Sequence, residues 1–479
     1  CEVENNLKFP KRIVEKKKRT QHEQQTIQQL LEMAATLLQM ISTARAEDFN
    51  EWMSVGWALY NISDGSKEGL DMWLEFSQRS PSQYCESDAI SKWNNMTKRD
   101  MTIGTLRYFA AQDSPTEYAA WTYINVQANI TQSISGSHND VAKIIKNKYP
   151  DKFVNGDITK RNWYMWENHR YIQIDDGYTL RLLMSGEIVD DIEKEIQANN
   201  GDIDFIKDAR KLQNNLKSAP YKSNVMRELA DEYYDPNFLK KLDMNRHIIG
   251  FLNGVYDLQN HAFRAGQPTD YITKQMSVEY DEEMTYEDQS VIDVFTFLSQ
   301  VFPDKEIRDY FLDTTSDVLV GGNANKIVQV WTGDGDNAKS VTQNLIEKML
   351  GEYAIKLPTS LITGKRTGSS NASPELARAG NGVRFAVLQE PDKRDEVNAG
   401  LLKELSGNDT FYARTLHDKG GEINPMFDLR LICNDPPSWG SDKALWNRLE
   451  FLPFEACFCD DAPTTIEEQL EQKKFRKTP

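Results

Sequence analysis

Ile327-Val328-Gln329-Val330-Trp331-Thr332-Gly333-Asp334-Gly335-Asp336-Asn337-Ala338-Lys339-Ser340 is the stretch on which the reading of this chain turns. Its first five residues form an apolar, β-prone run that reads as a buried strand. A glycine-rich turn follows, then Lys339-Ser340, then a helical pattern from Val341 through Leu350. Strand, glycine-rich turn, Lys-Ser and helix is an arrangement that cradles phosphates, because backbone N–H groups and a helix N-terminus hold the anion. Gly333, Asp334, Gly335, Asp336, Asn337, Ala338, Lys339, Ser340 and Val341 are therefore the candidate nucleotide-binding residues. Lys339 would reach the β- and γ-phosphates of ATP, and the Ser340 hydroxyl would bind Mg2+. Ala338 departs from the common pattern, which has glycine before the lysine. If that position needs φ > 0, its Cβ costs roughly 1–2 kcal/mol.

Moving outward, Arg384-Phe385-Ala386-Val387-Leu388-Gln389-Glu390 reads as a second buried strand ending in an acid. A carboxylate at the C-terminal end of such a strand sits at the ligand crevice of an open α/β sheet. Glu390 is thus the candidate that polarises an attacking water. Gln389 stands where many ATPases have a metal-holding acid, which leaves Ser340 and Glu390 as the metal-side candidates. A third strand, Leu429 to Cys433, delivers Asn434, and Leu445-Trp446-Asn447-Arg448 precedes Leu452-Pro453-Phe454. Taken singly, Asn434 is a turn residue before Asp435-Pro436-Pro437, and Arg448 a surface ion pair. The span from Ala413 to Ile423 reads as a hairpin around Gly420-Gly421. Its charged tip is either a solvated turn or a contact for a polyanion.

Upstream, Phe49 to about Ala111 is rich in tryptophan (Trp52, Trp57, Trp73, Trp93), with helical patterns broken at Asp64-Gly65-Ser66 and Ser80-Pro81. Aromatic stripes at this spacing are core, so a small helical domain is expected. Before it lie a basic run, Lys8 to Arg19, and a Gln-rich helical stretch with Ile27, Leu30, Leu31, Ala34, Leu37 and Leu38 in register, read as a linker and connecting helix. Between 116 and 285 helices mix with short strands. Trp163 to Trp166 and Tyr171 to Ile174 form a hairpin-like pair, and Asn253-Gly254 is a turn dipeptide inside an apolar run. Asp202 to Asp204 lie in an acidic helical stretch and read as a solvated face rather than a metal cluster.

The chain of 479 residues is long enough for about three domains. Its formal net charge of −17 rules out a surface that clamps DNA everywhere and confines any such contact to a local patch or pore lining. The five cysteines, Cys1, Cys85, Cys433, Cys457 and Cys459, make no C-x-x-C pair, so they read as reduced thiols of an intracellular protein and not as a zinc site. Nothing reads as a membrane span or a signal peptide. The first residue is Cys and the end is a charged helical run, so both ends are expected to be cuts through a longer polypeptide.

The ordered series from Gly333 to Phe454, including Lys403-Glu404-Leu405-Ser406-Gly407-Asn408-Asp409 and Ala413-Arg414, resembles the superfamily 3 helicases of the poxvirus type. Trp52…Gly56-Trp57-Ala58-Leu59, Gly69…Trp73…Ser77, Tyr84…Trp93 and Thr102-Ile103-Gly104-Thr105-Leu106 resemble the helical domain that follows viral and phage primases. The segment with Pro268, Asp270-Tyr271-Ile272-Thr273 and Tyr280 resembles the domain preceding a poxvirus-type helicase core. The resemblance implies a multidomain α/β protein. A basic linker and connecting helix would span 1–45 and a helical adaptor 46–115. An α+β intermediate domain would span 116–285, an AAA+ P-loop ATPase core 286–460, and a C-terminal segment would begin at 461–479. It implies that Asn434 orients water beside the γ-phosphate and that Arg448 reaches the ATP of a neighbouring subunit. Arg414, His417 and Lys419 would grip DNA from the hairpin, with six copies lining a narrow pore. The implied partners are single-stranded or forked DNA, five further copies in a hexamer, and a primase domain preceding Cys1 in the same polypeptide, with no membrane. Translocation would run 3′→5′, in the host cytoplasm, for a source among the large cytoplasmic DNA viruses, African swine fever virus among them. The alternatives are a degenerate ATPase ring serving as a DNA clamp or primase scaffold, and an AAA+ remodeller of protein or RNA.

Overall fold

The computed structural model describes residues 21–477 except 83, 133, 135, 364–373, 381, 392, 393, 395, 408 and 414–420. The chain divides into two compact units, one ending at Gln132 and the other starting at Ser133. The basic run from Lys8 to Arg19 and the hairpin candidates Arg414, His417 and Lys419 lie outside the described residues.

Within the first unit every described element is a helix. Gln21–Met40, the stretch read as a connector, carries Leu31, Ala34, Leu37 and Leu38 into the same core as Trp73 and Trp93. Asp48 caps Phe49–Ser63 by accepting from Glu51 N–H at 2.9 Å, and Asp64 ends that helix in the left-handed conformation. Thr102 and Thr105 form a capping box at the start of Ile103–Asp113. The core turns on a tryptophan stack, Trp52 on Trp73 with ring centroids 4.6 Å apart. Gly56 permits it, since a Cβ there would stand 2.5 Å from the Trp73 ring. The indole N–H groups are both satisfied. Trp52 Nε1 donates to Ser77 Oγ (2.7 Å), Ser77 Oγ donates to Trp73 O (2.6 Å), and Trp73 Nε1 donates to Trp52 O (3.2 Å). Arg45, nearly buried, lies over the Phe109 ring and pairs with Asp113 at 2.7 Å, so its charge is matched where water is scarce.

The second unit opens with an antiparallel meander, β1 (Phe153–Asp157), β2 (Asn162–Glu167) and β3 (Arg170–Ile174). Asn168 and His169, both at positive φ, make the two-residue turn between β2 and β3 that such hairpins favour. Helices follow, and then a second meander, β4 (Ile248–Phe251), β5 (Gly254–Asp257) and β6 (Ala262–Arg264). Here the turn falls on Leu252-Asn253, one residue earlier than the Asn-Gly dipeptide suggests, because Gly254 pairs with Phe251 in the ladder. The Asn253 side chain accepts from Tyr280 N–H and donates to Tyr280 O, both at 2.9 Å, and so fixes that loop.

Five parallel strands form the sheet that positions the candidate site: β7 (Val328–Thr332), β8 (Ala354–Leu357), β9 (Phe385–Gln389), β12 (Asp428–Ile432) and β13 (Leu449–Pro453), in the order β13-β7-β12-β9-β8. The central strands β7, β9 and β12 are buried along nearly their whole length, as parallel strands covered on both faces must be. Between β9 and β12 the chain makes a short antiparallel pair, β10 (Phe411–Ala413) and β11 (Gly421–Ile423), the stem of the hairpin expected there. A last parallel pair is β14 (Cys457–Cys459) and β15 (Lys474–Arg476). Ile249 and Met276, from the region of the second meander, share one core with Trp331, Leu350, Tyr353 and Phe385 of the parallel-sheet region. Arg384 stitches the two regions further: it is buried and donates to Leu319 O and to Ile248 O.

Candidate phosphate-binding site

β7 runs into the glycine-rich turn, and the helix that follows spans Lys339–Leu350. It begins two residues before the apolar pattern shows it, because Lys339 and Ser340 are polar and periodicity cannot register them. Three backbone conformations shape the turn. Gly333 sits at φ 146°, and a Cβ there would come within 2.4 Å of Phe454 O and 2.5 Å of Asn337 Nδ2. Asp336 and Ala338 adopt φ 58° and 63°, the left-handed region. At Ala338 that conformation costs roughly 1–2 kcal/mol, since Cβ crowds the following carbonyl. The buried Asn337 side chain braces the loop by donating to Asp334 O and, at 3.3 Å, to Phe454 O.

Among the described residues, the N–H groups of Gly335, Asp336, Asn337 and Ala338 have no hydrogen-bond acceptor. Backbone donors are ordinarily paired, so four successive free ones at a helix N-terminus fit a polyanion. Lys339 is buried and its Nζ donates to Gly333 O (2.5 Å) and Asp334 O (3.3 Å). Burial pulls its pKa below the usual lysine value.

Glu390 follows β9 directly, at φ 52°, with its N–H donating to Ile432 O at 2.9 Å. Cys433 follows β12, its N–H donating to Trp331 O at 3.1 Å, and exposed Asn434 comes next. Burial pushes the Cys433 thiol up to about 11, so it stays protonated. The strand ends thus bring Glu390 and Asn434 to the same cavity of about 700 Å³ that Gly335 to Val341 line. This is the crevice at the C-terminal ends of the strands of an open parallel sheet. The Gln389 side chain also lines it, and its amide donates to Gln343 Oε1, while Gln343 donates to Glu347 at 2.8 Å. Ser340 and Glu390 line one cavity, but the described residues contain no cluster of three or more His, Cys, Asp or Glu that could hold a metal.

Other expected residues lie elsewhere. Gly333 and Asp334 contribute carbonyls to Lys339 and do not line the cavity. Arg448 lies outside it, donating to Lys403 O (2.6 Å) and Ser406 Oγ (3.0 Å), and makes no ion pair among the described residues. Four residues that the sequence reading passed over do line the cavity: Phe297, Gln300, Phe458 and Lys477. Nothing local marks them, because they arrive from a helix before β7 and from the chain around β14 and β15.

Residues 34–110 match the family described as Primase C terminal 2 (PriCT-2), and residues 142–303 match D5 N terminal like. The "Putative helicase" of Acanthamoeba polyphaga mimivirus is 35% identical over 90% of this chain and 46% of that protein. The "Putative helicase" of Invertebrate iridescent virus 6 is 33% identical over 93% of this chain and 53% of that protein. The "Putative primase" of African swine fever virus (isolate Pig/Kenya/KEN-50/1950) is 23% identical over 88% of this chain and 48% of that protein. The chain therefore spans about half the length of these relatives. Among solved structures, the apo A form of the NrS-1 C terminal region aligns with a TM-score of 0.27 and 16% identity, over 38% of this chain and 41% of that one. That likeness is too slight to define a shared fold. No helix of the described residues is long and apolar enough to cross a membrane. With its two matched domains and its likeness to these viral proteins along nearly its whole length, the chain is a relative of the primase–helicase proteins of large DNA viruses.

Proposed function

We propose that the second unit is an ATP-driven DNA helicase motor of the AAA+ superfamily 3 kind, working in a ring of six copies during viral genome replication in the host cytoplasm. One observation carries this reading: four free loop N–H groups, Lys339, Ser340, Glu390 and Asn434 all belong to one crevice at the ends of parallel strands. The loop N–H groups and Lys339 bind the phosphates, and Lys339 exchanges its carbonyl partners for phosphate oxygens. Glu390 accepts the proton of the attacking water, and Asn434 orients that water. Mg2+, when bound, neutralises charge on the phosphates, and Ser340 and Glu390 are the residues that would hold it. Arg448, partly exposed and free of a carboxylate partner among the described residues, is suited to reach the nucleotide of a neighbouring copy. Arg414, His417 and Lys419, beyond the β10–β11 stem, would face DNA in the central channel. A primase domain preceding this chain in the same polypeptide would fit relatives about twice its length.

The test is steady-state ATP hydrolysis with and without single-stranded DNA, for the native chain and its Glu390→Gln variant. DNA-stimulated turnover that the variant loses supports the motor. Flat rates in both, despite nucleotide binding, favour a second reading, a ring that binds nucleotide and DNA as a clamp or scaffold. That reading draws on the strained Ala338 and on Gln389, which lacks a carboxylate and is tied to Gln343. Stimulation by RNA or a polypeptide instead would indicate a remodeller.

A further inference from the structure

The end of the described chain folds back onto the phosphate loop. Phe458, in the middle of β14, donates its N–H to Asp336 O at 2.7 Å. β15 pairs with β14 in parallel, and the Lys477 N–H, just beyond it, donates to Cys459 O at 3.3 Å. These backbone bonds set Lys477 Nζ 3.1 Å from Asp336 Oδ1, and both residues line the cavity that holds Lys339 and Glu390.

Asp336 is an awkward member of a loop for phosphates. Its carboxylate belongs to a residue whose own N–H is one of the four free donors, so its negative charge opposes the anion those donors attract. We propose that Lys477 neutralises Asp336 and thereby sets the affinity of the loop for nucleotide phosphates. The inference rests on the nucleotide reading above and makes Lys477 a positioning residue, not a catalytic one. The pair is substantially exposed, with side chains 47% and 64% accessible, so it adds little to stability and acts through the local field. The hydrogen bond and charge of Asp336 raise the Lys477 pKa, which keeps the cation charged at neutral pH.

The experiment is equilibrium binding of a fluorescent ATP analogue with Mg2+ to the full chain at low salt, alongside thermal unfolding. Lys477→Met should weaken binding about tenfold with an unchanged unfolding midpoint, and Lys477→Arg should bind as the native chain does. Adding Asp336→Asn to Lys477→Met should restore most of the loss, and raising the salt should narrow the gap between Lys477→Met and the native chain. Native-like binding by Lys477→Met, or a double variant as weak as Lys477→Met, overturns the inference. Binding that is absent from the native chain, or that Lys339→Ala leaves intact, overturns the nucleotide reading itself.

Discussion

In the tryptophan core of the first unit, both indole N–H groups and the Ser77 hydroxyl close a circuit of hydrogen bonds around rings stacked 4.6 Å apart. In the phosphate loop of the second unit, four successive N–H groups have no acceptor among the described residues, and two non-glycine residues, Asp336 and Ala338, hold left-handed backbones. Both regions are rich in glycine or aromatic residues and both are conspicuous in the sequence. The difference lies in what is left over. A core spends its polar groups on itself, whereas a ligand site keeps donors and strain in reserve.

The sharpest way to break this contrast is Trp73→Ala. Losing a fully buried indole should cost about 3–5 kcal/mol, read by urea unfolding followed by far-UV circular dichroism, while nucleotide binding persists. A loss below about 1 kcal/mol would mean that the stack is not the keystone of its unit. Glu390→Gln should do the opposite, lowering ATP turnover at least about a hundredfold with the unfolding midpoint unmoved. Ala338→Gly tests the stored strain. It should stabilise the chain by about 1 kcal/mol, because relief of the Cβ clash exceeds the entropy glycine adds to the unfolded state, and a destabilised variant would place the strain elsewhere.

A pH-dependent effect comes from the sheet that carries the loop. Burial raises the Asp428 carboxyl from 3.8 to about 6, even though Arg430 beside it pulls the other way. From about pH 4 to about 6 the unfolded chain has released this proton while the folded chain keeps it. Stability should therefore fall as pH rises through that window and level off above it. Asp428→Asn should remove this part of the slope in unfolding experiments run across the window, and a slope that survives the substitution would assign it to other groups.

Sequence reasoning reached the parts of the site that are contiguous in the chain. β7, its turn and the following helix are covalent neighbours, so their pattern carries the local geometry, down to the positive φ asked about at Ala338. Strand β9 was legible because a buried parallel strand is largely an apolar run, and β12 because Leu429, Leu431 and Ile432 mark it despite Asp428 and Arg430; the residues after both fall at the crevice by topology. Phe297, Gln300, Phe458 and Lys477 were illegible because each is an ordinary core or surface residue in its own segment and meets the loop only through the fold. The Gln21–Met40 helix shows the same limit. Its apolar stripe was plain, but no periodicity says that the stripe packs against the tryptophan core.

The core shared by Ile249, Met276, Trp331 and Phe385, with Arg384 clasping the carbonyls of Leu319 and Ile248, has a practical bearing on how the molecule can be divided. A recombinant fragment beginning near residue 286 would keep every residue of the phosphate crevice but bare the face that Ile249 and Met276 cover. It would also leave the Arg384 guanidinium without its Ile248 carbonyl. Such a piece should aggregate or melt early, and limited proteolysis of the whole should spare the junction.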